Sequence, residues 1–316
     1  MMSDVKILEC LGHGEKTIGE LKKTLGINDA KFLNAAISRL ARKGYVTVRK
    51  PWFRDFRVKS TGRTYAPPNT RVIAVMNLKG GVGKTTTAVN LSAKIAEAGK
   101  KTLLVDMDPQ ASASFHYEIS STVGTYKVLT AEANISEAIT ATCNKGLDIL
   151  PANLDLAGAE AEFPGYSGMS KLRKSLTEVA DEYEYIIIDC PPSLSMLSIN
   201  ALCAAESVIV PLECDQYALE SLRNLEKVID EVRKFNPILH IGGILINKFR
   251  PQEDRAAEIE QKIRQNYKDN TYNIIIPYDD ATAKTCQTNV PMNMEAIEAP
   301  MVKAYGKLAK EVINNG

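Results

Sequence analysis

The chain has 316 residues, 45% of them hydrophobic, enough for one large cored domain plus a small one. Its six cysteines (Cys10, Cys143, Cys190, Cys203, Cys214, Cys286) are scattered without a C-x-x-C pair. That argues against a zinc ribbon or a cysteine-ligated cluster and for reduced thiols in the cytosol. Neither a signal peptide nor an apolar stretch of membrane-spanning length is evident. The net charge of +1 hides an asymmetry: residues 1–66 carry 14 Lys/Arg against 6 Asp/Glu, a net +8 that leaves −7 for residues 67–316. A basic head on an acidic body points to a polyanion as partner of the head.

In chain order, Val5, Ile7, Leu8 and Leu11 suggest a short first helix that ends near Gly12-His13-Gly14. Thr17 is placed to cap a second helix, Ile18 to Leu25, with Glu20 three residues after the cap and Gly26 as the stop. A third helix follows Asn28-Asp29 and carries Phe32, Leu33, Ala36, Ile37 and Leu40 on one face. Tyr45–Arg49 and Phe53–Val58 alternate like strands around Lys50-Pro51-Trp52. Three helices and then a basic hairpin is the order of a winged helix-turn-helix. In such a module the third helix enters the major groove and the wing touches the backbone. Candidate DNA contacts are then Lys31, Asn34, Ser38, Arg39 and Arg42 on the helix, and Arg49, Lys50, Arg54, Arg57 and Lys59 on the hairpin. The competing reading is a winged-helix fold used for protein contacts. Ser60 to Thr70 is a polar, proline-containing linker, which divides the chain into residues 1–66, a linker 67–70 and residues 71–316.

Val72 to Met76 is a short apolar run that reads as a buried strand. It breaks into Lys79-Gly80-Gly81-Val82-Gly83-Lys84-Thr85-Thr86 and resumes as a helix from Thr85 to about Ala98. A strand, a glycine-rich loop and a helix opening on Lys-Thr form a phosphate cradle. Glycines let the backbone wrap closely and aim its N–H groups inward, and the helix adds its positive N-terminal end. Lys84 would reach the outer phosphates and the Thr85 hydroxyl would sit on Mg²⁺. The general pattern puts a glycine where Leu78 stands, and Lys79 is an additional lysine.

Thr102–Val105 is an apolar strand that ends in Asp106-Met107-Asp108-Pro109-Gln110. Ile135–Thr142 and Leu156–Glu162 look helical, Leu147–Leu150 looks like a strand, and Pro164–Ser170 like a loop. Tyr185–Ile188 is a run of four large residues ending in Asp189-Cys190-Pro191-Pro192, which implies a strand buried on both faces. Cys190 reads as a small buried residue. Further strands are Glu206–Glu213, His240–Lys248 and Ile274–Ile276, with a helix from Ala218 to Phe235 and a last packing helix near the end. Strands alternating with helices predict an α/β fold, a doubly wound, mostly parallel sheet.

The form K-G-G-x-G-K-[ST], then D-x-D-P-Q, the Asp189 strand and P-L-x-x-x-Q-x-A-L (Pro211 to Leu219), resembles the ParA/MinD group of P-loop ATPases, and favours ParA. The resemblance covers nearly all of residues 71–316, and many plasmid ParA proteins have a similar helix-turn-helix head. It implies an ATPase using ATP and Mg²⁺, with Gly80 to Thr86 around the phosphates and Lys79 reaching a partner subunit's nucleotide. By the same resemblance Asp106 lies near the Mg²⁺ shell, Asp189 holds Mg²⁺, and Asp108 orients the attacking water. Asn247 would read the adenine edge, with Pro277, Tyr278 and Asp279 bordering the base. Arg255, Lys284, Lys303 and Lys307 become candidates for sequence-independent DNA contact. The implied assembly is an ATP-sandwich homodimer that binds DNA, meets a centromere-binding ParB-type partner, and works in the cytoplasm on the nucleoid without a membrane. The alternatives are a nucleotide-switched transcriptional regulator acting through the head and a MinD-like positioning ATPase. The latter would end in a separate basic amphipathic helix.

Overall fold

A computed structural model describes residues 7, 10–11, 16–27, 30–42, 46–49, 57–60, 70–163, 166–253, 255–278 and 299–315. The chain divides into two compact units, Met1–Asn69 and Thr70–Gly316.

In the first unit a two-residue strand β1 (Lys16–Thr17) leads into helix α1 (Ile18–Leu25). The capping box foreseen there is complete: the Glu20 amide donates to Thr17 Oγ1 at 3.1 Å and the Thr17 amide to Glu20 Oε2 at 2.7 Å. Gly26 ends the helix in the left-handed region, φ +66. Helix α2 (Ala30–Arg42) buries Leu33, Ala36, Ile37 and Leu40 with Ile7, Leu11, Leu21 and Val46. Asn34 and Ser38, one turn apart, are exposed. Strands β2 (Val46–Arg49) and β3 (Arg57–Ser60) pair antiparallel, and β1 adds to the far side of β3, a strand not foreseen. Lys31, Arg39 and Arg42 lie on α2, Arg49 on β2, and Arg57 and Lys59 on β3. Lys50, Arg54 and residues 53–56 lie outside the described residues.

The second unit is built on an eight-stranded sheet ordered β11-β10-β9-β4-β8-β5-β7-β6. The strands are β4 (Arg71–Val75), β5 (Thr102–Asp106), β6 (Thr140–Ala141), β7 (Leu147–Leu150), β8 (Tyr185–Asp189), β9 (Ser207–Leu212), β10 (His240–Phe249) and β11 (Thr271–Pro277). All pairs are parallel except β6 with β7. Two apolar cores cover the two faces, and the central strands feed them alternately. In β8, Ile186 and Ile188 enter one core while Tyr185 and Ile187 enter the other. A strand buried on both faces needs large residues without a polar alternate, which is why that run is unbroken. Helix α3 (Lys84–Glu97) follows β4. The last helix, α12 (Pro300–Asn314), packs on it through Tyr305, whose hydroxyl lies 3.1 Å from Thr87 Oγ1. Met301, Val302, Leu308 and Val312 of α12 are buried in the same core.

Between these two helices the chain adds α4 (Ser112–His116), α5 (Thr125–Thr130), α6 (Ile135–Ala138), α7 (Ala159–Glu162), α8 (Lys171–Leu176), α9 (Met196–Ala204), α10 (Ala218–Arg233) and α11 (Ala256–Asn266). The helix expected over Ile135–Thr142 is cut short. It stops at Ala138, and Thr140–Ala141 pairs with β7 as an edge strand. β-branched Ile139, Thr140 and Thr142 favour extended backbone, and Gly146 at φ +85 lets the chain turn back into β7. Tyr166–Ser170, expected as a loop, forms a 3₁₀ turn.

Candidate active site at the carboxyl edge of the sheet

The loops after β4, β5, β8, β9 and β10 meet at the carboxyl edge of the sheet, and beside β4 successive strands switch from being added on one side to the other. Ligands of open parallel sheets bind at such a switch point. The glycine loop leaves β4 there. Gly81 and Gly83 have φ of +78 and +87, a region open to glycine and strained for other residues. A Cβ on Gly83 would also fall 2.3 Å from Asn247 Nδ2, so two independent constraints demand glycine at that position. Asn77 braces the loop from below. Its Nδ2 donates to the Pro211 carbonyl at 2.8 Å, and its Oδ1 accepts from the Ser221 hydroxyl at 2.7 Å and the Lys79 amide at 3.0 Å.

Lys84 opens α3 and is buried; its Nζ donates to the Lys79 carbonyl at 3.0 Å. Burial lowers its pKa, and the nearby charges of Asp189 and Asp108 partly offset that. Lys79 points its ammonium at Asp215 of its own chain, just beyond β9.

Asp106 and Asp189 sit side by side at the ends of β5 and β8, paired in register and fully buried. Their surroundings differ. Asp106 Oδ2 accepts from the Ser114 amide at 2.9 Å and the Ser114 hydroxyl at 2.7 Å, and Oδ1 accepts from the Asp108 amide at 3.1 Å. Burial still pushes its pKa up to about 6. Asp189 has no hydrogen bond of normal geometry at either oxygen. Burial first, and then the Asp106 charge, hold its pKa well above the carboxylate range; the Thr85 hydroxyl pulls the other way without closing a full hydrogen bond. Cys190 follows, fully buried, with its thiol pKa raised by the same burial. Asp108 is half-buried, and its Oδ1 accepts the Gln110 amide at 2.9 Å, which fixes the carboxylate's orientation.

The structure thus brings Lys79, Gly80 to Thr86, Asp106, Asp108 and Asp189 to one edge. Two of the expected site residues already hold partners within the fold. Asp106 accepts at both oxygens, from Ser114 and from the Asp108 amide, which ties it to the loop after β5. Asn247 has its amide committed to the glycine loop, with Nδ2 on the Val82 carbonyl at 2.8 Å and Oδ1 on the Lys248 amide at 3.0 Å. Pro277 ends β11, and Tyr278 carries the Arg250 guanidinium 3.5 Å over its ring centroid. Asp279 and Lys284 lie outside the described residues. Arg255 is exposed at the start of α11, and Lys303, Lys307 and Lys310 are exposed on α12 at helical spacing. Lys310 was missed in the sequence, although the i, i+4, i+7 spacing was there to read. Ser114 was missed too, because nothing local ties it to a carboxylate eight residues earlier.

Residues 70–241 match the AAA domain family AAA_31. The sporulation initiation inhibitor protein Soj of Bacillus subtilis is 38% identical over 251 residues, which cover 78% of this chain and 99% of that protein. The chain belongs to the ParA/Soj family of partition ATPases. A plasmid partition protein from Borrelia burgdorferi superposes with a TM-score of 0.63 at 26% identity, covering 78% of this chain and 99% of that one. A cobyrinic acid a,c-diamide synthase from Mycobacterium smegmatis, crystallised with an ATP analogue and magnesium, superposes at 0.66 with 30% identity over 78% and 95%. Membership of the family of partition ATPases carries the P-loop ATPase class with it. Among the described residues no group of three or more His, Cys, Asp or Glu could hold a metal ion by itself. No described helix is long and apolar enough to cross a membrane, and α12, the helix nearest the chain's end, buries its apolar face in the core.

Proposed function

We propose that this partition ATPase hydrolyses ATP to ADP and phosphate, that ATP closes two chains into a sandwich dimer, and that the dimer binds DNA until hydrolysis releases it. The observation that carries the reading is the buried Asp189 carboxylate, without hydrogen bonds, beside Lys84 and Thr85 at the mouth of a glycine loop. Burial favours the protonated form of that carboxylate, and a cation placed beside it would favour the charged form. Thr85 and Asp189 would hold Mg²⁺, which when bound neutralises phosphate charge. Phosphoryl transfer to water is mostly positioning and charge stabilisation. The loop amides and the N-terminus of α3 hold the phosphates. Lys84 exchanges the Lys79 carbonyl for phosphate oxygens, and Asp108, its carboxylate oriented by the Gln110 amide, aligns the water. Pro277 and Tyr278 border the base. Lys79 leaves Asp215 to reach the nucleotide of a second chain, so ATP binding favours the dimer whose contacts it completes. Exposed Lys303, Lys307 and Lys310 supply phosphate-directed charge, and a centromere-binding ParB-type protein stimulates turnover.

The head supports a second activity. Helix α2 buries one face and exposes Asn34 and Ser38, and the three-strand sheet supplies Arg49 and Arg57, which suits operator DNA read in winged-helix fashion. Retention on DNA by the full chain, with no nucleotide, ADP or ATP at stated salt, tests both activities. Retention on unrelated duplexes only with ATP supports the partition reading. Retention independent of nucleotide and confined to particular duplexes favours a regulator.

A further inference from the structure

Asn247 and Lys248 lie near the end of β10, and both reach back to the glycine loop. Asn247 Nδ2 donates to the Val82 carbonyl at 2.8 Å, and Lys248 Nζ donates to the Gly81 carbonyl. Glu213, just beyond β9, meets the same ammonium at 3.1 Å. Lys248 itself sits at φ +51, where a side chain meets steric resistance, and the Asn247 Oδ1 bond to its amide supports that turn. The lysine stem passes 3.9 Å from where a Gly83 Cβ would stand. The glycine loop is therefore held on its outer side by two adjacent side chains from one strand end.

The orientation matters because of peptide geometry. In a trans peptide the carbonyl and the next residue's N–H point in opposite directions. Holding the Gly81 and Val82 carbonyls outward turns the Val82 and Gly83 N–H groups toward the inside of the loop. Glycine-rich backbone does not keep such a direction unaided, since both signs of φ are open to it. We propose that Lys248 is a positioning residue of the phosphate-binding loop: braced by Glu213, it latches the Gly81 carbonyl and so aims the inward amides that receive the nucleotide's outer phosphates. The inference rests on the nucleotide reading above. The Lys248 and Glu213 side chains are 38% and 34% exposed, so the ion pair is screened and adds little to fold stability; its weight lies in orientation.

The test is equilibrium titration of the full chain with ATP, ADP and AMP in Mg²⁺, together with thermal unfolding without nucleotide. Lys248→Met is expected to weaken ATP and ADP by about tenfold, to leave AMP within about twofold, and to unfold within about 2 °C of the parent, since it loses an orienting bond rather than core packing. Lys248→Arg should recover most of the loss. Glu213→Gln should weaken ATP and ADP by a smaller factor and add nothing in the Lys248→Met background, because both act on one carbonyl. Unchanged ADP affinity in Lys248→Met, or an equal loss for AMP, overturns the latch. If Lys248→Met fails to fold, Glu213→Gln decides by the same pattern across the three nucleotides. A parent chain that binds none of them overturns the nucleotide reading instead.

Discussion

Gly83→Ala probes how the glycine loop and β10 fit together, and Gly81→Ala is its built-in control. The two glycines have nearly the same φ, +87 and +78, so an alanine meets the same backbone resistance at either, about 1–2 kcal/mol. At Gly81 nothing lies within 4 Å of the added Cβ, and that resistance is the whole expected loss. At Gly83 the Cβ falls 2.3 Å from Asn247 Nδ2 and 3.6 Å from its Cγ, so the amide has to move. Asn247 is buried, and displacing it breaks its bond to the Val82 carbonyl and leaves polar groups unpaired, a further cost of about 1–3 kcal/mol. Gly83→Ala should therefore lose about 2–5 kcal/mol in all. For a unit of this size each kcal/mol lowers Tm by about 2–4 °C, so thermal unfolding without nucleotide should separate the two variants by several degrees. Asn247→Ala should cost nothing more, or restore stability, in the Gly83→Ala background. Equal Tm values for Gly81→Ala and Gly83→Ala would refute the close approach on which the argument depends.

Asp189→Asn should stabilise the nucleotide-free protein and abolish Mg²⁺-dependent ATP binding. Asp106 and Asp189 both keep protons in the fold above the unfolded aspartate value of about 3.9, so stability is fullest below that pH and falls as pH rises through about 6 at Asp106 and beyond at Asp189. Urea unfolding at pH 5 and pH 8 should show that fall in the parent and a smaller one in Asp189→Asn. Lys79→Gln should abolish ATP-driven dimerisation in sedimentation, whereas Asp215→Asn should strengthen it by up to about fivefold, because the half-exposed Lys79–Asp215 pair is worth at most about 1 kcal/mol and must open first; a dimer lost in Asp215→Asn would contradict this. Cys190→Ala should retain hydrolysis, since burial keeps that thiol protonated and away from chemistry.

The sheet was legible because the central strands are short apolar runs ending at or beside an acid or an asparagine, and those ends define the carboxyl edge. The glycine loop, the Asp106 and Asp189 strand ends and the Thr17–Glu20 cap are local patterns of the same kind. What escaped were pairings across the chain. Lys79 with Asp215 and Asn247 with Val82 are separated by 136 and 165 residues, and neither spacing nor periodicity links them. Asn247 was read for a ligand by resemblance, while its nearest partner in the fold is backbone. β6 escaped because four helical residues and an edge strand share one stretch, and a window long enough to see a helix averages over both.

Two carboxylates at neighbouring strand ends illustrate what only the fold could decide. Asp106 and Asp189 follow the same kind of apolar run, each is fully buried, and the family resemblance places both near a cation. Three donors, two from Ser114 and one from the Asp108 amide, are arranged around Asp106 and tie it to the loop that carries Asp108. Asp189 has only the nearby Thr85 hydroxyl, which closes no hydrogen bond of normal geometry. Burial of Asp189 raises its pKa, and in the proposed function a bound cation would favour its charged form. In the proposed mechanism this difference between the two aspartates couples nucleotide binding to the state of the site: Ser114 and the Asp108 amide partner one, and the ligand's cation would partner the other.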